Sequence, residues 1–229
     1  MNKMGICIYC LQNSTESKKR AHIVPEGILA NDKVLPLGAE CDDCNQYAGQ
    51  LETAFIYHNR IWVPIMLARV PGKNSRLRKR MAYYTANDKL RKFRVTFKDE
   101  WVKNENGKNI VYWPDPKEYC NLKFRRALYH IGLNYVVWKF GWDRALKNEF
   151  DETRRYVRYA KKGEEWNYGQ VSYPDENIRK KLSIGLVEEA PGITVKLGLF
   201  IDDFFVDVLN TGKLNDWLKI KYGKKYGYL

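Results

Sequence analysis

Four cysteines, a histidine, an asparagine and a glutamate near the start of the chain have the types and spacing to do chemistry. Cys7 and Cys10 form one Cys-x-x-Cys pair, and Cys41 and Cys44 form a second, with thirty residues between them. Four thiolates in two such pairs can close a tetrahedron around Zn2+. Disulfides are the competing reading, but they need an oxidising compartment, which nothing in the sequence suggests. The separation exceeds that of a compact zinc ribbon, so something is inserted between the pairs. The fifth cysteine, Cys120, beside Tyr119 and near Leu122, reads as a buried structural thiol.

The insert holds Lys19-Arg20-Ala21-His22-Ile23-Val24-Pro25-Glu26-Gly27. A neutral imidazole such as that of His22 can take a proton from water near pH 7. A spare zinc ligand or a structural donor would use the same residue. Asn45 follows the second pair directly, with Gly49 and Glu52 behind it. Asp42 and Asp43 suit a helix N-terminus. On a helix starting there, positions 41, 45, 49 and 52 share one face. Asn45 and Glu52 then point the same way, and Gly49 leaves room between them. Glu52 as an ordinary exposed helix residue is the plainer alternative. His58 falls on another face of that helix and His130 in a later helix; both read as packing or surface residues.

Taken together, Cys-x-x-Cys, Ala-His-Ile-Val-Pro-Glu and Cys-x-x-Cys-Asn, with Gly49 and Glu52 behind, resemble the HNH endonuclease family, in its zinc-containing branch. The resemblance covers roughly residues 5–58. It implies a ββα arrangement in which a hairpin is crossed by a helix, with a divalent ion between them and the zinc knuckles bracing the ends. It further implies that His22 is the general base attacking a phosphodiester through water. Asn45 would ligate the ion or orient His22, and the ion would be Mg2+ or Mn2+ beside a structural Zn2+ on Cys7, Cys10, Cys41 and Cys44. The chain departs from the family at Ala21, where a metal-ligating side chain often precedes the histidine. Glu52 is then the first replacement ligand, followed by Glu26 or Asp42; otherwise the fold persists without catalysis. The segments from Phe124 to Gly132 and from Phe150 to Val157 resemble the C-terminal region of the same branch.

The elements that must hold these residues are read from pattern and charge. The chain has 229 residues, 45% hydrophobic and 14% aromatic, enough to build a core. Net charge is +13, yet residues 1–58 hold five basic and seven acidic side chains, so the excess lies beyond them. The densest stretch, Arg69 to Arg94, has ten basic residues against Asp88 alone. Such a surface suits a polyanion, or simply a solvated face. Arg76, Arg78, Lys79, Arg80, Arg91 and Arg94 are the candidate nucleic-acid contacts. Val70–Arg80 reads as a basic loop. Phe93–Lys98 alternates as a strand, with a turn over Asn104–Lys108 and a return strand over Asn109–Trp113. Helices are expected from Leu51 toward Trp62, with Pro64 as breaker, from Leu122 to Gly141, and near Phe150–Ala160. Arg154, Arg155 and Arg158 on the last of these either meet nucleic acid or belong to a helix pair packed on a sheet. Strands are expected at 169–173, 184–187, 194–201 and 204–209, followed by a Lys/Tyr-rich tail.

These readings combine into an α+β protein: residues 1–68 as an HNH nuclease module with structural zinc, and residues 69–229 as a basic mixed domain for substrate or partner. No run of eighteen apolar residues and no signal-like start is present, so a cytoplasmic protein without a membrane partner is expected. The implied activity is hydrolysis of DNA phosphodiesters. The competing functions are an inactive zinc-knuckle module that grips nucleic acid, and a nuclease subunit that meets a protein partner in a larger defence complex.

Overall fold

The computed structural model describes residues 5–26, 28, 33–58, 61, 121–173 and 179–223, with the backbone of strands at 76–78, 82–87, 92–97, 102–105, 108–111 and 226–227. It mixes helices and sheets, as an α+β chain should. Helix α1 spans Asp42–Ile56 and helix α2 spans Asn121–Phe140. The short helix α3 (Trp142–Ala145) and helix α4 (Asp151–Tyr159) follow, and helix α5 covers Leu214–Tyr222.

Helix α2 is the centre of the molecule. At 20 residues it is about 30 Å long, and residues 124–137 are buried without interruption. A helix buried all round should be apolar all round, yet this one carries Arg125, Arg126, His130 and Asn134. Each is satisfied internally, as buried polar groups must be. Arg125 Nη1 donates to Trp166 O at 2.8 Å, and Arg126 Nε donates to Val157 O at 3.0 Å and its Nη2 to the Tyr47 hydroxyl.

Helix α1 lies on one side of α2. Its apolar stripe Cys44, Ala48, Leu51 and Phe55 is buried, and Phe55 stacks on Phe124 with centroids 5.3 Å apart. His58, just past the helix, also stacks on Phe124, at 3.8 Å. That makes it a packing residue. The helix ends at Ile56, short of Trp62; residues 59–60 and 62–70 lie outside the described ones.

A five-stranded antiparallel sheet also packs against α2. The strands are β6 (Gly169–Ser172), β7 (Arg179–Leu186), β8 (Thr194–Phe200), β9 (Asp202–Asp207) and β10 (Tyr226–Gly227), in the order β10-β6-β9-β8-β7. Strand β9 is buried along its whole length, because both faces are covered. Phe204 packs toward Phe124 of α2, whereas Phe205 joins Val171, Leu214 and Leu218 beneath α5. Gly132 permits the close seating of α2: a Cβ there would meet Val208 Cγ2 at 2.9 Å. The expected strands match β6, β8 and β9 closely, β7 begins five residues before the expected 184, and the second half of α5 falls in the Lys/Tyr-rich tail, for which no helix is expected.

Two smaller sheets lie in the basic region. Strands β1 (Arg76–Arg78), β2 (Ala82–Asn87) and β3 (Lys92–Phe97) form one antiparallel sheet, and β4 (Val102–Glu105) with β5 (Lys108–Val111) forms a separate hairpin. The expected pairing of the 93–98 strand with the 109–113 strand is therefore corrected. Strand β3 takes β2 as its partner instead, and part of the expected basic loop is strand β1.

One apolar core contains Ile23, Leu51 and Phe55 together with Phe124, Val136, Leu197 and Phe204. The proposed boundary between residues 68 and 69 falls outside the described residues, while side chains on both sides of it share this core. A fragment of residues 1–68 would leave the stripe of α1 in water. Its zinc-loaded form is expected to aggregate or to give a poorly dispersed amide NMR spectrum, while the full chain gives a dispersed one.

Candidate functional site

The two cysteine pairs are sewn together by main-chain bonds. In the first knuckle the Cys7 amide donates to Gln12 O at 2.9 Å, and Leu11 turns the chain at φ 59°, a left-handed value unusual for a branched residue. Ile8 N then reaches Ala39 O at 2.9 Å, and Ser14 Oγ donates to Gly38 O at 2.6 Å. Gly38 sits at φ +84°, and a Cβ there would lie 2.8 Å from Ser14 O, so only glycine fits this approach. The second pair starts α1, with Cys41 as its N-cap.

All four Sγ atoms lie within 4.8 Å of one another, and Cys10 and Cys41 Sγ are 3.7 Å apart. A tetrahedral Zn–S4 site with ~2.3 Å bonds has edges of about 3.8 Å. Amides of Tyr9 and Cys41 each approach Cys7 Sγ at 3.4 Å, and the Cys44 amide approaches Cys41 Sγ at 3.5 Å, the kind of outer bond that orients thiolate ligands. The hydrogen bond from Cys44 holds the Cys7 thiol down at about 4, and the same contact pushes Cys44 up. Burial pushes Cys41 up to about 11. Four thiols this close cannot all ionise by themselves; a dication among them removes the conflict. The four cysteines can thus hold a zinc ion.

Between the knuckles the chain forms a narrow hairpin. His22 bridges Val34 in antiparallel register, with Ile23 N donating to Lys33 O at 3.0 Å and Leu35 N to Ala21 O at 2.8 Å. The bonds are made by the neighbours, so His22 and Val34 form a non-hydrogen-bonded pair. Alternation puts Ala21, Ile23 and Leu35 in the core and leaves His22 half-buried on the other face. Asp42 ties the approach to this strand, accepting the Lys18 and Lys19 amides at 3.1 Å.

Helix α1 carries Asn45, Gly49 and Glu52 along the shoulder beside its buried stripe, and among the described residues nothing beyond the helix's own backbone lies within 4 Å of a Cβ built on Gly49. Burial raises the proton affinity of the Glu52 carboxyl; His130 and His22 pull it back down, while Glu40 and Glu26 push it up. Of the two histidines that act on Glu52 by charge, His130 acts more strongly than His22. Among the described residues, however, only the four cysteines converge to metal-ligand spacing.

Two further residues adjoin the site: Glu40, which the sequence does not single out, and His130, which reads from sequence as a packing or surface residue. Glu40 and His130 form a buried pair, 2% and 3% exposed, with Nε2 3.2 Å from the carboxylate. Burial works against a charged ring, but Glu40 outweighs it and His130 holds its proton above the ordinary imidazole range. His130 also stacks on Tyr9, centroids 5.0 Å apart. The only sequence signal was a histidine on an otherwise apolar helical face.

The remaining candidates divide as follows. Arg76 stands opposite Thr85, which stands opposite Arg94, giving one cross-strand row, and Arg78 lies on β1. Lys79, Arg80, Arg91 and Cys120 lie outside the described residues. Arg154 is buried and bonded to Ala145 O at 2.6 Å and to Asp151, so it serves the helix pair. Arg155 is taken by Glu152 and Glu164. No described helix is long and apolar enough to cross a membrane. No family model matches the chain, and no curated protein or solved structure matches it either.

Two outcomes follow from this geometry. Cys10→Ala or Cys41→Ala should each abolish stoichiometric zinc binding and hydrogen-exchange protection over residues 5–58, measured by metal analysis and exchange mass spectrometry. Protection retained without metal would refute the zinc site. His130→Ala should cost roughly 3–5 kcal/mol in denaturant unfolding, because Glu40 is left charged and alone. A raised histidine stabilises fully below its unfolded value, about 6.5, and loses that contribution as pH rises through the folded one. The gap between wild type and variant should therefore narrow on the alkaline side.

Proposed function

We propose that the chain is a nuclease of the HNH type that hydrolyses DNA phosphodiesters, with His22 as the general base. The observation that carries this reading is the order of elements around His22. A cysteine knuckle leads into a two-stranded hairpin that carries His22, and the second knuckle leads into a helix that carries Asn45 and Glu52. In this account His22 accepts a proton from the attacking water, a step typically worth 10²–10⁴-fold. The knuckles hold hairpin and helix in register. The basic strands carrying Arg76, Arg78 and Arg94 supply contacts to the phosphate backbone, which position without reading sequence.

Asn45 and Glu52 offer one amide oxygen and one carboxylate beside the open space at Gly49, a donor set that suits Mg2+ or Mn2+ in kind. Bound there, such an ion would neutralise charge on the phosphate. A binding module without catalysis is the second reading. It is favoured by Ala21, which is 3% exposed in the core and offers no ligand.

Plasmid cleavage by wild type and His22→Ala, with Mg2+, Mn2+ or EDTA, separates these readings. The nuclease reading expects divalent-dependent cleavage that falls at least about a hundredfold in the variant. Equal cleavage by both proteins would remove His22 from its role. Salt-sensitive binding with no cleavage would establish the binding module.

A further inference from the structure

The non-hydrogen-bonded pairing of His22 leaves its main-chain carbonyl without a partner on the opposite strand. That carbonyl is met from elsewhere: Asn134 of α2, fully buried, donates from Nδ2 to His22 O at 3.2 Å. The other end of the same amide is also fixed. The Tyr9 hydroxyl donates to Asn134 Oδ1 at 2.8 Å, and also lies 3.2 Å from His130 O, one helical turn earlier. Tyr9 stands inside the first cysteine knuckle, between Cys7 and Cys10, with its amide directed at Cys7 Sγ. An amide placed this way has its orientation set, since flipping it would bring Oδ1 against His22 O, two acceptors with no proton between them.

We propose that Asn134 is a positioning residue for His22, held in its orientation by Tyr9, so that α2 and the first knuckle together set where the imidazole stands. The residue acts across 112 positions of sequence and touches no reacting group. The hairpin is one bridge wide at His22, tied by the flanking bonds at Ala21 and Ile23, and Asn134 adds a third tie at His22 O itself. A displacement of about 1 Å at a reacting group can cost on the order of a hundredfold in rate. The inference rests on the reading of His22 as the reacting base.

Two full-length variants test it. Asn134→Leu keeps the branched shape of the side chain and removes both bonds. Tyr9→Phe keeps the ring against His130 and removes only the hydroxyl that orients Asn134. Each is compared with wild type in zinc content, in the NMR shifts of the His22 ring, and in kcat and KM for DNA cleavage. The expected result is one zinc per chain, displaced His22 ring resonances, and kcat lowered about ten- to hundredfold with KM unchanged, the effect of Tyr9→Phe being the smaller. His22 resonances at wild-type positions in either zinc-loaded variant would overturn the proposal, and so would a loss of kcat no larger than the loss of folded protein. If Asn134→Leu fails to fold, Tyr9→Phe decides alone. If wild type cleaves nothing, the nuclease reading fails, while the His22 resonances still decide whether Asn134 positions that residue.

Discussion

Four thiols held within one tetrahedron's span are the constraint on which the first sixty residues depend. This segment has few regular hydrogen bonds of its own: a knuckle turn, a hairpin one bridge wide, and a helix. A hairpin of that size is marginal in water. Drawing Cys7 and Cys10 against Cys41 and Cys44 closes the loop between them, and closure of the chain is what metal binding contributes to folding. The collision that a Cβ on Gly38 would make with Ser14 O shows how close the two knuckles stand before any ion is considered.

Helix α2 is the second support, and it joins the N-terminal segment to the rest. Its Phe124 meets Phe55 and His58 face to face and Phe204 edge-on. Its polar residues are spent on connection. His130 holds Glu40, next to a cysteine of the second knuckle, and Asn134 holds His22 and Tyr9. A buried charged pair is weak support for stability by itself. In this seating α2 meets Glu40, His22 O and Tyr9 at once.

What could be read from the sequence was local. The cysteine spacing, the start of α1 at Asp42 and the shared shoulder of Asn45 and Glu52 all follow from a few neighbouring residues and helical period. The central helix to Gly141 and strands β6, β8 and β9 were legible for the same reason. What was not legible was pairing at a distance. His130 and Asn134 look like polar exceptions on an apolar helix until Glu40 and His22, about a hundred residues earlier, are placed beside them. Strand β3 alternates as cleanly beside β2 as it would beside β5, so pattern alone could not choose its partner. Helix α5 buries Leu214 and Leu218 with Trp217 and Tyr222 packed beside them, but Ile220 stands 87% exposed and blurs the period.

The measurement that bears most directly on the account is zinc-edge X-ray absorption on the purified full chain. Four sulfur neighbours at about 2.3 Å, with no nitrogen or oxygen in the shell, is the predicted result, since the cysteines alone would then anchor both ends of the His22 hairpin. A shell containing an imidazole nitrogen would draw His22 into the zinc site and contradict its freedom to act as a base. Absence of zinc would leave the hairpin without its anchor and contradict the account at its root.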